Sequence, residues 1–201
     1  MIDNASELKM KNIIYRDMES GDITFLKDLC NGLMAFQAEH ATIRPEIMAG
    51  MNFENRLVPD FENTERKYIT VAFEKDIPVG FAFAAVGQIN RQDLTGKPDW
   101  AKELQGQGFY PQDYEIPKII GTFKLLFVDP NYRGYRIGIN LSDRIMTWLK
   151  SQNDVEDLWV FVANGNEIVG KFYEKLGFVH SHAVFNGFIE AYTQSLERGK
   201  L

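Results

Sequence analysis

The pattern of hydrophobic and polar positions divides the chain into short apolar runs, which predict strands, and segments with apolar residues three or four positions apart, which predict helices. The clearest succession lies between Gly121 and Leu149. Phe123–Val128 is an apolar run interrupted only by Lys124, and it has the length of a buried strand. Asp129-Pro130 stops this run, and an amphipathic helix follows Gly138 with an apolar face made of Leu141, Ile145, Trp148 and Leu149.

The same two patterns predict alternating strands and helices over the rest of the chain. The expected strands and hairpins are Asn12–Met18, Tyr68–Phe73 with Val79–Val86, Leu158–Ala163, and Val179–Phe185 with Phe188–Tyr192. The last pair would turn at Asn186-Gly187, a strong two-residue turn signal. Helices are expected after Asp22, from Pro45 to about Phe53 and from Asn166 to Leu176, whereas Arg56–Arg66 is expected to be irregular.

A long segment, residues 87–117, interrupts this pattern before the central strand. It is rich in Gln, Gly, Asp and Pro, and we expect only one short helix in it, near Asp99–Leu104. Loops of this length are usually functional or disordered, and its aromatic residues argue against disorder: Trp100, Phe109, Tyr110 and Tyr114. We therefore expect an ordered insertion, a candidate flap over a binding site.

The junction between the central strand and its helix reads Arg133-Gly134-Tyr135-Arg136-Ile137-Gly138. The first amides of a helix lack internal partners, and the helix dipole adds partial positive charge there. Glycines allow a ligand to approach the backbone, and the two arginines add donors suited to phosphate. The junction therefore predicts a phosphate or pyrophosphate site, with a simple turn carrying solvated arginines as the alternative.

Two motifs in this half of the chain are similar to those of a known family. The segment Val128-Asp129-Pro130-x-x-Arg133-Gly134-x-x-Ile137-Gly138 resembles the acyl-CoA-binding motif of the GNAT superfamily of N-acyltransferases, Gln/Arg-x-x-Gly-x-Gly/Ala. Arg133 and Gly138 match its first and last positions, and Arg136 stands where the middle glycine is usual. The segment from Asn166 to Phe178 is similar to the family's Asn-x-x-Ala-x-x-x-Tyr-x-x-x-Gly-Phe, with Val169 in place of alanine.

This resemblance implies a fold and a co-substrate. The fold would be one α/β domain over residues 1–201, with helices around a mixed, mostly antiparallel sheet of six or seven strands that is splayed between two middle strands. Acetyl-CoA would lie in that splay as the co-substrate, with its pyrophosphate on the junction and its pantetheine arm along the central strand. The implied cofactor-binding residues are Leu126, Phe127, Val128, Arg133, Gly134, Tyr135, Arg136, Ile137, Gly138, Asn166 and Phe172.

The resemblance also implies an activity, direct acetyl transfer to a primary amine. Tyr173 stands where the family places the general acid that protonates the CoA thiolate, and the amide of Phe127 or Val128 would stabilise the oxyanion. Family members often carry an acidic residue near Lys124 or Leu125, and neither residue here is acidic. No base is assigned, and the candidates are Glu39, His40, Glu115, His180, His182 and ordered water. The alternative function is a non-catalytic acyl-CoA-binding or regulatory domain.

Composition narrows the classes of partner. The 201 residues are 45% hydrophobic and 25% charged, and the single cysteine, Cys30, excludes an internal disulfide. The net charge of −6 argues against general nucleic-acid binding and mildly favours a cationic acceptor, a small-molecule or peptide amine. No transmembrane-length apolar run is present, so we expect no membrane and a cytoplasmic location. No metal is expected, because His180 and His182 would share a strand face without a third ligand nearby. A homodimer is left open.

Overall fold

Residues 12–196 are described by the computed structural model, and their strands and helices alternate along the chain. The strands are β1 (Ile13–Met18), β2 (Arg66–Glu74), β3 (Ile77–Ile89), β4 (Lys118–Val128), β5 (Asp157–Ala163), β6 (Val179–Val184) and β7 (Ile189–Ser195). The α-helices are α1 (Lys27–His40), α2 (Pro45–Ala49), α3 (Val58–Glu62), α4 (Arg91–Thr95), α5 (Ile137–Ser151) and α6 (Gly170–Lys175). Single turns of 3₁₀-helix lie at Thr24–Leu26, Asp99–Ala101, Pro130–Tyr132 and Glu167–Val169, and a π-helical turn lies at Phe53–Leu57.

The seven strands form one sheet in the order β1-β2-β3-β4-β5-β7-β6. Every neighbouring pair is antiparallel except β4 and β5, which are parallel. This parallel pairing is short, since Ile120–Phe123 pairs with Asp157–Val160 and no later residue of β4 pairs with β5 within the described chain. The mixed, mostly antiparallel sheet with a splay between its middle strands is therefore confirmed.

Helices cover both faces of the sheet and bury the central strand between them. On one face α5 buries Leu141, Ile145 and Leu149 completely, as its apolar spacing predicts. On the other face α1, the π-helical turn and α3 enclose a second cluster that includes Phe81 and Phe83 of β3. Each fully buried side chain of this size contributes roughly 1.5–3 kcal/mol to stability. No helix in the described range 12–196 is long and apolar enough to cross a membrane.

The segment after α2 is helical rather than irregular, which corrects the expectation for Arg56–Arg66. The expected second helix ends at Ala49, and a new helical segment starts at Asn52, whose side chain accepts a hydrogen bond from the Asn55 amide at 3.1 Å. Phe53, Leu57 and Phe61 are all buried. Their i, i+4, i+8 spacing was the signal for this helix, and the surrounding charged residues concealed it.

The closing hairpin exists, but its turn is longer than the sequence predicts. Val184 pairs with Ile189, so four residues connect the strands instead of two. Three of them have positive φ: Phe185 at 49°, Asn186 at 56° and Gly187 at 87°. A bulge at Ser181 sets His180 opposite Tyr192 and His182 opposite Ala191, which are consecutive residues. The two histidines therefore lie on opposite faces, and the expectation that they share a face is wrong.

Residues 90–117 pack against this hairpin and against β5. The Tyr114 hydroxyl donates to the buried Asp157 carboxylate at 2.6 Å, and the Phe185 amide donates to the Gln107 carbonyl at 2.8 Å. The rings of Trp100 and Phe109 meet Phe185 edge to face. The segment is ordered, as expected, but its helical parts are α4 and the single turn Asp99–Ala101 rather than a helix over Asp99–Leu104.

Candidate active site

The site is organised by a bulge in β4 at the point where β4 and β5 separate. Phe123 lies opposite Ala84 of β3 and Leu125 lies opposite Phe83, which leaves Lys124 as the extra residue. A bulge of this kind bends the strand and redirects a side chain. Here it turns Lys124 toward α3, on the same face as Leu125.

Beyond the bulge, one edge of β4 has no strand beside it. The Asp129 amide donates to the Val79 carbonyl at 3.0 Å, so backbone groups of alternate residues back to Leu125 face β3. The amides and carbonyls of Leu126 and Val128 therefore face the splay. By the same alternation the Phe127 amide points to β3, and the geometry favours Val128 over Phe127 as an oxyanion donor. An extended ligand could bind this open edge as an added strand would.

The loop between β4 and α5 brings helix amides and arginines to the end of the splay. The first hydrogen bond of α5 is donated by Asn140 to the Arg136 carbonyl at 3.0 Å, so the amides of Ile137, Gly138 and Ile139 precede it. The Ile137 side chain is buried, and only its backbone can serve a ligand. The Arg133 guanidinium lies 5.2 Å from the centroid of the Phe36 ring on α1. This arrangement is a positively charged end to the cleft.

Arg136 stands where the family motif has a glycine, and its backbone lies in the left-handed region that favours glycine. Its φ is 60°, and Gly134 two positions earlier has a φ of 85°. A side chain in this left-handed region is strained, and glycine is not. Arg136 therefore departs from the Gln/Arg-x-x-Gly-x-Gly/Ala motif at a position whose conformation suits glycine, and the cost is local strain at Arg136.

A cavity of about 510 Å³ opens at the splay, on the face of the sheet that α1 and α3 cover. The β4 residues Thr122–Leu125 form its inner end, with Phe161 and Ala163 of β5. Its remaining walls come from α1, α2, the helical segment 53–62, the segment 90–117 and the closing hairpin. Aromatic and apolar side chains predominate among these walls: Met48, Met51, Ile89, Trp100, Phe109, Tyr110, Phe188 and Ile189. The expected flap segment therefore forms one wall of the cavity.

Three charged side chains line the inner end of this cavity. The Asp60 carboxylate oxygen Oδ2 accepts from Arg56 Nη1 at 2.5 Å and from Lys124 Nζ at 3.3 Å. Each side chain keeps about a quarter of its surface exposed, at 30%, 26% and 27% for Arg56, Asp60 and Lys124. Burial lowers the pKa of the Lys124 ammonium, because desolvation and the nearby Arg56 outweigh the attraction of Asp60. Burial acts to raise the pKa of Asp60, but the two cations outweigh it and hold that pKa below its usual value.

Tyr173 lies on the opposite side of β4 from this charged cluster. Its ring meets Phe123, the last β4 residue paired with β5, edge to face at 5.6 Å between centroids. Phe172 and Phe178 also pack against it, and only 6% of the residue is exposed. Within residues 12–196 its hydroxyl has no hydrogen-bond partner, and burial raises the pKa of the phenol. Tyr173 is therefore a protonated hydroxyl beside the point where the strands separate.

None of the five candidate bases lines the cavity. The His40 ring bonds the Phe36 carbonyl through Nδ1 at 2.8 Å, and Glu39 and Glu115 are exposed. His180 Nε2 lies 2.6 Å from Glu190, and His182 Nε2 lies 3.0 Å from the Gly108 carbonyl. The structure therefore leaves these side chains outside the site. Among the described residues no group of three His, Cys, Asp or Glu side chains is placed to hold a metal ion.

Two asparagines near the end of β5 have different places. Asn166, the expected motif residue, directly precedes the 3₁₀ turn, and its carbonyl accepts from the Val169 amide at 3.0 Å. Asn164 is buried, and its Oδ1 accepts from the amides of Thr42 and Ile43 at 2.7 and 2.8 Å. Asn164 thereby fixes the α1–α2 connection against β5, a role that its position before a glycine did not indicate.

Comparison with protein families gives one match, the Acetyltransferase (GNAT) family, over residues 40–178. The chain belongs to the GNAT acetyltransferase family. The match includes the charged cluster, the junction loop, α6 and most of the residues that line the cavity, so the expected family and enzyme class are confirmed. A search of curated protein sequences found no match.

Solved structures share the fold of this GNAT protein at low sequence identity. The PaiA N-acetyltransferase of Thermoplasma acidophilum, in complex with coenzyme A, has a TM-score of 0.60 at 13% identity, with 91% of this chain and 99% of that chain covered. PH1933 of Pyrococcus horikoshii OT3 has a TM-score of 0.57 at 17% identity, with 92% and 99% covered. A GNAT acetyltransferase of Streptococcus pneumoniae has a TM-score of 0.55 at 14% identity, also with 92% and 99% covered.

Proposed function

We propose that this GNAT protein transfers an acetyl group from acetyl-CoA directly to a primary amine. The observation that carries the proposal is the open edge of β4 between a positively charged loop and a cavity. A pantetheine arm would hydrogen-bond to Leu126 and Val128, and its pyrophosphate would meet the amides around Gly138. The thioester would then reach the bulge, where the cavity opens on the other face. The site thus offers a place for both substrates, and the PaiA N-acetyltransferase of similar fold was solved in complex with coenzyme A.

The transfer itself needs few groups from the protein. The amine nitrogen attacks the thioester carbonyl, and the Val128 amide stabilises the oxyanion that develops. As the new N–C bond persists and the C–S bond breaks, the amine loses a proton to water and Tyr173 donates its phenolic proton to the departing thiolate. Because burial raises the pKa of Tyr173, the phenol is a donor at any physiological pH. The tyrosinate regains its proton from solvent.

The role of the junction loop is tested with Gly138→Asp. A Cβ at this position would meet only Val128 Cγ2, at 3.7 Å, so the substitution fits the fold. The added carboxylate would lie beside the pyrophosphate, and we expect the affinity for acetyl-CoA to fall more than tenfold, or about 1.4 kcal/mol, by calorimetric titration.

A matched control is Gly87→Asp, which adds the same charge at an exposed position of β3 with nothing within 4 Å of the new Cβ. Its affinity for acetyl-CoA should equal that of the wild type. If Gly138→Asp binds as tightly as this control, the loop is not the pyrophosphate site. Binding of acetyl-CoA without thiol release on any amine would instead favour the alternative, a non-catalytic acyl-CoA-binding domain.

A further inference from the structure

We propose that the acceptor is a free α-amino acid with a large apolar or aromatic side chain. The proposal rests on the proposed function and names the substrate class for the same site. It combines the charge pattern at the inner end of the cavity with the apolar character of its walls.

The charged cluster matches a zwitterionic head group. Two cations, Arg56 and Lys124, contact one oxygen of Asp60, so the cluster carries one net positive charge. On the far wall Asp93 and Lys97 cancel each other, and no other charged residue in the described range lines the cavity. The cavity therefore favours an occupant with an anionic group. Desolvation and the nearby Arg56 lower the pKa of Lys124 despite Asp60, and an incoming carboxylate beside it would favour the charged form.

The position of the cluster limits where that anion can sit on the acceptor. Lys124 lies at the bulge, two residues before Leu126, whose backbone faces the splay where the thioester would lie. The attacking amine must also reach this point. An acceptor that places its amine and its anion side by side is an α-amino acid, since one carbon carries both groups. Asp60 is then placed for the α-ammonium and Lys124 for the carboxylate.

The rest of the cavity fits an apolar side chain. From the charged end the walls continue through Phe161 of β5 to Trp100, Phe109 and Phe188. Burying an aromatic side chain among such rings is favourable, whereas a short or charged side chain would leave the walls uncovered. A volume of about 510 Å³ is sufficient for a free amino acid and lies in the range usual for small-ligand sites.

The test compares acceptors that differ in one feature, by thiol release from acetyl-CoA. L-Phenylalanine is compared with 2-phenylethylamine and L-phenylalaninamide, which lack the carboxylate, with glycine, which lacks the side chain, and with a peptide that begins with phenylalanine. We expect kcat/KM for L-phenylalanine to exceed each of the others at least tenfold. The amide and the peptide have amine pKa values of about 8, so more of their amine is unprotonated at neutral pH and the comparison is biased against the proposal.

Variants of Lys124 test whether the charged cluster causes the preference for an acceptor with a carboxylate. Lys124→Met should raise KM for L-phenylalanine at least tenfold and change turnover of 2-phenylethylamine less than threefold. Lys124→Arg keeps the charge and should keep most of the preference, which also guards against a folding defect in the first variant. Lys102→Met is the matched control, since Lys102 is largely exposed and paired with Asp99 at the surface. It should keep the full preference.

Three results would overturn the proposal. The first is a better rate with 2-phenylethylamine or the peptide than with L-phenylalanine. The second is an equal loss with every acceptor in Lys124→Met that shrinks as pH rises, since Lys124 would then act as a base. The third result comes from a binding measurement. It is needed if no amine is acetylated although acetyl-CoA binds, an outcome that refutes the proposed function itself. In that case calorimetry with L-phenylalanine in the presence of acetyl-CoA still tests the substrate class, and no heat of binding would refute it.

Discussion

Replacement of Tyr173 by phenylalanine separates a catalytic hydroxyl from a packing ring. The ring of Tyr173 contacts three other aromatic rings, and Tyr173→Phe keeps all of these contacts. The only group removed is the hydroxyl, which has no hydrogen-bond partner within the described residues. The structure therefore makes this an unusually clean deletion of one donor.

The substitution has one expected effect on stability and another on rate. The Tyr173 hydroxyl is not among the fully buried side-chain groups that lack a partner in the described residues, so its removal should change the free energy of unfolding by less than about 1 kcal/mol. A positioned general acid contributes about 100-fold or more to the rate, which corresponds to about 2.7 kcal/mol of transition-state stabilisation. We thus expect a variant that is about as stable as the wild type and about 100-fold slower.

The assay measures turnover by thiol release, acetyl-CoA affinity by calorimetry and melting temperature on the same preparations. Affinity for acetyl-CoA should change little, because the hydroxyl acts on the leaving thiolate only as the C–S bond breaks. Phe178→Leu serves as a packing control, since it alters an aromatic contact of Tyr173 and keeps the hydroxyl. Equal turnover in Tyr173→Phe and the wild type would refute the reasoning and leave Tyr173 a core residue.

Other consequences of the structure can be measured separately. Arg136→Gly should relieve the strain of a φ of 60°, so urea denaturation should show no loss and a gain of up to about 1 kcal/mol, whereas a clear loss would show that the arginine is structural. Asn164→Ala removes the acceptor for two partly buried amides and should cost about 2 kcal/mol by the same method; a cost below about 1 kcal/mol would contradict its bracing role. Burial acts to raise the pKa of Asp157, but hydrogen bonds from Tyr114 and Lys118 outweigh it and hold that pKa below its usual value. The stabilisation is therefore present above the ordinary pKa of a carboxyl and is lost as pH falls through the lower folded value, so Asp157→Asn should flatten the acid side of the stability curve. An unchanged curve would refute this assignment.

The central unit of the fold could be predicted because its signals are local. Between Gly121 and Leu149 each strand or helix shows its own periodicity, and Asp129-Pro130 marks the boundary between them. The sequence did not predict the helical segment 53–62, and the reason is also local. Charged residues between its buried positions conceal the helical spacing of those positions. Its loss from the prediction also removed Arg56 and Asp60 from consideration, although their i, i+4 spacing is typical of a helical ion pair.

The cavity could not be predicted, because its walls come from segments far apart in the chain. Asp60 and Lys124 are 64 residues apart, and only the packing of α3 over β4 brings them within 3.3 Å. The bulge that redirects Lys124 depends on the register between β3 and β4, which the apolar run Phe123–Val128 does not encode. The sequence marked Lys124 as an exception in that run and as a position near which the family often has an acidic residue, and neither signal predicts its contact with Asp60.

The short pairing of β4 with β5 gives the sheet two internal edges. Sheet edges ordinarily attract other chains, and proteins protect them with charge, bulges or covering segments. Here Leu126 and Val128 on one side and Phe161–Ala163 on the other have no strand between them in the described chain, yet they are recessed inside the molecule. A second folded protein is too thick to enter such a slot, whereas a thin, flexible arm can enter it. The protein can therefore keep reactive backbone available for a ligand without exposing a surface prone to aggregation.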